Sequence, residues 1–230
     1  DVNAMNNLGA MYARGLGTAV NYSKAFHWYS RSAKINDPNG LVTIAKMYTN
    51  GHGVPKKDFK KSFEYAQKAA NLGHTETQYL LWYHYENGIG TTKSFDKALF
   101  WLKASTQQGH PSAQYMLGIC YLGEEGTPCV GYKDEPAAVV LLKKAAQQNI
   151  PEAFFVLSSL YELGSPSIAK SIPQAYVYIL VAEALQYTPA IQKKIHLQKM
   201  LSAEDETKAS LLALRWQKNQ DFDALTLDAP

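Results

Sequence analysis

Residues 4–33, AMNNLGAMYARGLGTAVNYSKAFHWYSRSA, read as two helices joined by a glycine-rich turn. Ala4, Leu8 and Tyr12 fall on one stripe of the first helix, because spacings of four and eight return to the same face. Gly15 and Gly17 mark the turn. The second helix opens at Lys24-Ala25 and carries Trp28. Laid along the chain, this unit finds four more copies. Its tyrosine recurs as Tyr12, Tyr48, Tyr85, Tyr121 and Tyr161, at steps of 36, 37, 36 and 40. The small residue opening its second helix recurs as Ala25, Ser62, Ala98, Ala138 and Ala175, at steps of 37, 36, 40 and 37. Self-similarity at such a period marks a solenoid, since a lone helical hairpin cannot bury its apolar face and must stack on its neighbours.

The side chains at each register fit that reading. Four residues before the tyrosine stand Leu8, Ile44, Leu81, Leu117 and Leu157. Three before it, Gly9, Ala45 and Gly118 let the partner helix approach closely, while Trp82 breaks the rule. On the second helix a bulky residue (Trp28, Tyr65, Trp101, Leu141, Tyr178) precedes, by four positions, a small one (Ser32, Ala69, Ser105, Ala145, Ala182). Large against small is how stacked helices reach interior density.

The pattern Ala-x3-Leu-Gly-x2-Tyr-x2-Gly-x-Gly, then Lys-Ala-x2-Trp-Tyr, then Gly-His, resembles the Sel-one-like repeat (SLR) family, relatives of the tetratricopeptide repeats. Repeat 1 carries it at Ala4, Leu8, Gly9, Tyr12, Gly15, Gly17, Lys24, Ala25, Trp28 and Tyr29; repeat 3 at Leu81, Tyr85, Gly88, Gly90, Lys97, Ala98, Trp101, Gly109 and His110. Repeat 4 has a longer turn, and repeat 5 lacks the Lys-Ala pair and the second turn glycine. The resemblance implies an all-α, right-handed α/α superhelical solenoid. About five helix-turn-helix repeats would fill residues 1–187, capping helices 188–219, and a flexible tail 220–230. In the caps, Thr188-Pro189 starts one helix and Ser202 to Asp205 starts another, with Leu211, Leu214 and Trp216 available to dock.

Composition excludes several classes. The 23 basic and 20 acidic residues leave a net charge of +3, too mild to imply nucleic acid or a membrane surface. No apolar run reaches the 18 or more residues of a spanning helix, so no membrane insertion is expected. The chain opens on Asp1 rather than Met, which reads as a mature or trimmed product that a signal peptide could have preceded. The two cysteines, Cys120 and Cys129, sit nine apart in repeat 4. Their spacing admits a disulfide, the ordinary alternative is two unpaired thiols, and the sequence leaves both open.

Chemistry is sparse. His74 and His110 share the register of the family's Gly-His and read as structural. His27, His52, His84 and His196 have no Cys, Asp or Glu at metal spacing, so no metal or cofactor is expected. The Gly-x-Gly turns follow helices and lack the strand and Gly-Lys-Ser/Thr ending of a phosphate loop. The insert 123–134 in repeat 4 should protrude, and such inserts are often contact sites.

Helical phase also picks out side chains that hairpin packing does not use. Six before, two before and one after the tyrosine point away from the partner helix. By analogy with tetratricopeptide-like stacks, that face lines a concave groove. Its candidate residues are Asn6, Arg14, Lys46, Asn50, Tyr79, Tyr83, Glu86, Asn87, Tyr115, Ile119, Phe155 and Glu162. Tyr79, Tyr83, Tyr115, Ile119 and Phe155 would form an aromatic and aliphatic ladder, which the residues equally allow to be packing between repeats.

The expected function is a non-catalytic adaptor or scaffold, a monomer holding a peptide or protein segment in that groove. Family resemblance implies a bacterial exported or periplasmic protein serving signalling or host interaction. Two rivals stand beside it. One is a weak hydrolase of β-lactam-like substrates, an activity ascribed to cysteine-rich relatives whose per-repeat cysteine pairs are missing here. The other is a self-associating spacer.

Overall fold

The computed structural model describes residues 1–123, 133–219, 222 and 225–227; Cys129 and most of the repeat-4 insert lie outside the described residues. Twelve α-helices are found among them. They run as pairs, α1 (Val2–Arg14) with α2 (Tyr22–Lys34), α3 (Pro38–Asn50) with α4 (Phe59–Asn71), and α5 (Thr75–Asn87) with α6 (Phe95–Gln107). Then come α7 (Pro111–Leu122) with α8 (Glu135–Gln147), α9 (Pro151–Leu163) with α10 (Ile172–Ala184), and finally α11 (Ala190–Gln198) and α12 (Ala203–Asn219). The fold is all-α. The chain divides into two units, Asp1–His110 with repeats 1 to 3 and Pro111–Pro230 with repeats 4 and 5 and the last two helices. Within each unit, each helix of a repeat packs on the next in sequence, so hairpins stack as a solenoid requires.

One backbone hydrogen bond recurs in every hairpin at the register of the tyrosine. Each second helix begins with a cap, Asn21, Asp58, Ser94, Asp134 or Ser171, whose backbone N–H donates to the carbonyl of Tyr12, Tyr48, Tyr85, Tyr121 or Tyr161 at 2.8–3.0 Å. The cap thus ties the start of one helix to the end of the other. Asn21, Asp58 and Asp134 also accept the N–H three residues on through their side chains, filling an orphan donor of the helix start. The second helices therefore start two residues before the Lys-Ala pair, where a side chain can cap. The lysine has a separate use in the first unit: Lys24, Lys61 and Lys97 sit 5.2, 5.3 and 5.5 Å over the rings of Tyr12, Tyr48 and Tyr85.

Glycine is required twice in each regular turn, for different reasons. Gly88 ends α5 at φ 70°, the left-handed C-cap that side chains resist. Gly90 is also a close approach: a Cβ there would lie 2.0 Å from the backbone oxygen of Phe59, at the start of α4. A five-fold register of left-handed residues (Asn36, Gly73, Gly109, Asn149 and Gln186) then follows the second helices. The residue after each of them donates its N–H back to the carbonyl five positions earlier, as His74 does to Ala69.

Burial follows the sequence pattern closely. Ser32, Ala69, Ser105, Ala145 and Ala182 are wholly buried, as are Ile44, Leu81 and Leu157, and a Cβ on Gly9 would meet the Tyr29 ring at 2.8 Å. Two expectations for the C-terminal end need correction. Leu211 and Leu214 are 52% exposed, and α12 docks through Ala209, Ala213 and Trp216 instead. The end of the chain is also not a free tail throughout. Leu225 is fully buried because the Gln174 amide donates to its carbonyl at 2.8 Å and accepts from Leu227 N–H at 2.9 Å, while Phe222 stacks on Tyr178.

Candidate partner-binding face

In the first unit, the first helices of repeats 2 and 3 leave a hollow of about 570 Å³ between them. Asn39, Val42, Thr43 and Lys46 from α3 line one side. Glu76, Thr77, Tyr79, Leu80 and Tyr83 from α5 line the other, with the α5 cap His74 between them. A smaller recess of about 140 Å³ adjoins it, sharing Thr43 and Lys46 and adding Ala13, Tyr29, Asn50 and His52. Of the residues picked by helical phase, Lys46, Asn50, Tyr79 and Tyr83 thus share one continuous hollowed face. Glu86 is half-buried on the same helix as Tyr83, and Arg14 is exposed. The Asn87 amide is turned back, donating to the Tyr83 carbonyl at 2.9 Å.

Electrostatics at this face are those of a holding surface. Burial raises the Tyr79 phenol above its ordinary value, so it is neutral at physiological pH. Burial likewise raises the Tyr29 phenol, against the opposing pull of Arg14. Lys46 brings an ammonium, and Glu76 a carboxylate that accepts from His110 Nε2 at 3.0 Å. The rings offer flat apolar area with polar edges, suited to a half-wet contact. Among the described residues, no group of three or more His, Cys, Asp and Glu could hold a metal ion, and no helix is long and apolar enough to cross a membrane.

Other candidates are engaged elsewhere. Asn6 donates to Asp37 Oδ2 at 2.9 Å; that carboxylate also accepts from Ser32 Oγ and Gly40 N–H, both at 2.8 Å. Burial works to raise the Asp37 carboxyl, yet these donors hold it below its ordinary value. Tyr115, Ile119 and Phe155 pack, half-buried, against the core of the second unit. Phe155 and Glu162 are moreover covered by α11. Lys193 lies 5.2 Å over the Phe155 ring and pairs with Glu162 at 2.7 Å, and His196 meets the same carboxylate at 3.3 Å. Cys120 is buried and disulfide-bonded.

In repeats 1, 3 and 5 the side chain six before the tyrosine has a partner that the sequence reading missed, the residue after the left-handed turn. Asn6 bonds to Asp37; Tyr79 stacks on His110 at 4.7 Å; Phe155 meets Tyr187 edge-on at 5.5 Å. The signal lies in the 37, 36, 40 and 37 spacing of residues 37, 74, 110, 150 and 187. Its Gly-His form is the only part that stands out by residue type.

These features define an α-helical repeat protein with a hollowed face on the first helices of repeats 2 and 3. The Sel1 repeat profile matches residues 2–37, 44–74, 75–110 and 111–150, and the chain belongs to the Sel1 repeat family, the Sel-one-like repeats that its motifs resemble. The α9–α10 hairpin keeps the same registers beyond the last match. A Sel1 repeat protein from Oxalobacter formigenes shares the fold at a TM-score of 0.73, with 24% identity over 94% of this chain and 88% of that one. Among curated proteins, a chitin synthase regulator, SKT5 of Malassezia restricta, is 24% identical over 86% of this chain. An ERAD-associated E3 ubiquitin-protein ligase component, HRD3B of Arabidopsis thaliana, is 34% identical over 39% of it. The chain spans 13% of the first and 14% of the second.

Proposed function

We propose that the chain is a non-catalytic adaptor, and that its first unit holds a peptide or protein segment on the face built from α3 and α5. The observation that carries this is the hollow of about 570 Å³ at that face, with Tyr83 47% exposed at its edge. That volume lies in the range of ligand clefts, about 300–1,000 Å³, and has room for a few anchoring side chains rather than a whole chain. An exposed tyrosine beside a half-buried one and charged groups is the composition of a protein contact surface. The relatives support the reading, since a regulator and a ligase component are both named for proteins they serve. The disulfide at Cys120 fits an oxidising compartment, so a secreted or periplasmic setting belongs to the same proposal. With two cysteines in the whole chain, the hydrolase of cysteine-rich relatives is not carried over.

The test is selection from a displayed random peptide library on the wild-type chain. Selected peptides should bind a Tyr79→Ala/Tyr83→Ala variant at least tenfold more weakly, with helicity by circular dichroism unchanged. Peptides that bind both alike, or a library that yields none, would sink the reading.

A further inference from the structure

In the second unit, one lysine shows what the first-helix face can hold. Lys193 of α11 lies over the Phe155 ring at 5.2 Å, donates to Ser159 Oγ at 2.7 Å and pairs with Glu162 at 2.7 Å. The three acceptors stand six before, two before and one after Tyr161, one stripe of α9. The Lys193 and Glu162 side chains are only 13% and 18% exposed, so solvent and salt screen the pair weakly. A ring and a carboxylate at these positions thus form a seat for an ammonium.

Repeat 3 offers a related seat with its open ring two before the tyrosine instead of six before, and no ion pair fills it among the described residues. Its three positions are Tyr79, Tyr83 and Glu86, whereas repeats 1, 2 and 4 place Ala13, Thr49 and Leu122 where the carboxylate must be. Tyr79 is stacked on Trp82 and His110, which leaves Tyr83, 47% exposed, as the ring open to a cation. Tyr83 and Glu86 are three apart on α5, the spacing at which helical side chains meet a common guest. Glu86 makes none of the ion pairs found among the described residues.

We infer that repeat 3 receives a lysine side chain from a helical partner segment, its ammonium seated between the Tyr83 ring and the Glu86 carboxylate, the carboxylate playing the part that Glu162 plays for Lys193 and the Tyr83 ring standing in for Phe155. The inference rests on the groove reading above and names the chemistry of its partner. Lys46 on α3 lines the same hollow and repels a second cation, so the segment carries a neutral or acidic residue facing it.

A synthetic peptide of residues 188–201, which contains Lys193, serves as the probe against the intact chain. Binding is read by nuclear magnetic resonance shifts and by titration. The expected result is that shifts centre on Tyr83 and Glu86, with affinity falling about tenfold for a Lys193→Gln peptide or a Glu86→Gln chain. The two changes together should cost no more than either alone, because they remove one interaction. If the peptide shifts Val42, Lys46 and Tyr79 but is indifferent to both changes, the lysine seat is wrong and the groove stands. If it leaves the α3–α5 face untouched, the seat is overturned, and the groove is judged by the library selection alone.

Discussion

Repeats 3 and 5 are built to one register and finished differently. In repeat 5 the residue seven before the tyrosine is Phe154, fully buried against Tyr178, Trp216 and Phe222. In repeat 3 that position is Gln78, which accepts from Gln108 Nε2 at 2.7 Å and donates to the Ala70 carbonyl. The outward face contrasts in the same way: α11 covers it in repeat 5, and nothing within the first unit ion-pairs with it at Glu86 in repeat 3. What separates the two faces is thus whether a later helix returns to pair with them.

The contrast can be broken most forcefully in the core. Phe154→Ala should lower stability by about 3–5 kcal/mol in urea unfolding, the cost of truncating a buried aromatic. Gln78→Ala should cost less, about 1–3 kcal/mol, by removing the acceptor of the Gln108 Nε2–H, while the Ala70 carbonyl keeps the Gly73 N–H. A Gln78 loss equal to that of Phe154 would show that the polar and apolar versions of this position are energetically alike. The turns give a second comparison inside the first unit. Gly90→Ala combines left-handed strain with a clash on the Phe59 carbonyl, about 2–4 kcal/mol together. Gly17 has the same φ of about 70°, but its nearest neighbour is Met11 Cε at 3.9 Å, so Gly17→Ala should cost only about 1–2 kcal/mol. Thermal midpoints of the two variants decide this.

At the outward face the same residue type should behave oppositely in the two repeats. Glu162→Gln removes the partner of a largely enclosed lysine and should cost about 1–2 kcal/mol, discounted from the fully buried case because both side chains retain some exposure. Glu86→Gln should change stability by less than about 0.5 kcal/mol, as for other surface replacements. Equal losses at both sites would mean that Glu86 is as fully satisfied inside the fold as Glu162.

The hairpins and their registers were legible because they rest on local periodicity. Leu81, Tyr85 and Ala98 are where helical phase puts them, and each has a counterpart in every copy. The start of the second helix was misplaced because Lys24-Ala25 is the visible motif, whereas Asn21 sets the boundary through a bond to Tyr12 across the turn. Gly90 could be read as a turn residue but not as a contact, since its constraint comes from the Phe59 backbone of the preceding hairpin. The covering of Phe155 and Glu162 and the anchoring of Leu225 were hidden for the same reason. They join residues 31 to 51 apart, and nothing in the local pattern of α11 or of the chain end points to them. In α12, leucines at 211, 212 and 214 lie on more than one face, so docking was decided by what Trp216 could reach.

The smallest predicted effect also separates the two repeats. One residue before the tyrosine stands His84 in repeat 3 and Leu160 in repeat 5. His84 is 4% exposed, and its Nδ1–H donates to the Ile89 carbonyl at 2.7 Å. Burial depresses its pKa below the ordinary 6.5, and the bond to Ile89 only partly opposes this. Above pH 6.5 the ring is neutral whether folded or unfolded and contributes no pH dependence. As pH falls through 6.5 the unfolded chain takes up the proton first, so stability declines until the folded ring also protonates. His84→Leu, the residue type that repeat 5 already accommodates there, should remove this decline without a large change at about pH 8. Urea midpoints of wild type and variant at about pH 8 and about pH 5 measure it. A wild-type decline that persists undiminished in the variant would assign the pH dependence to other groups.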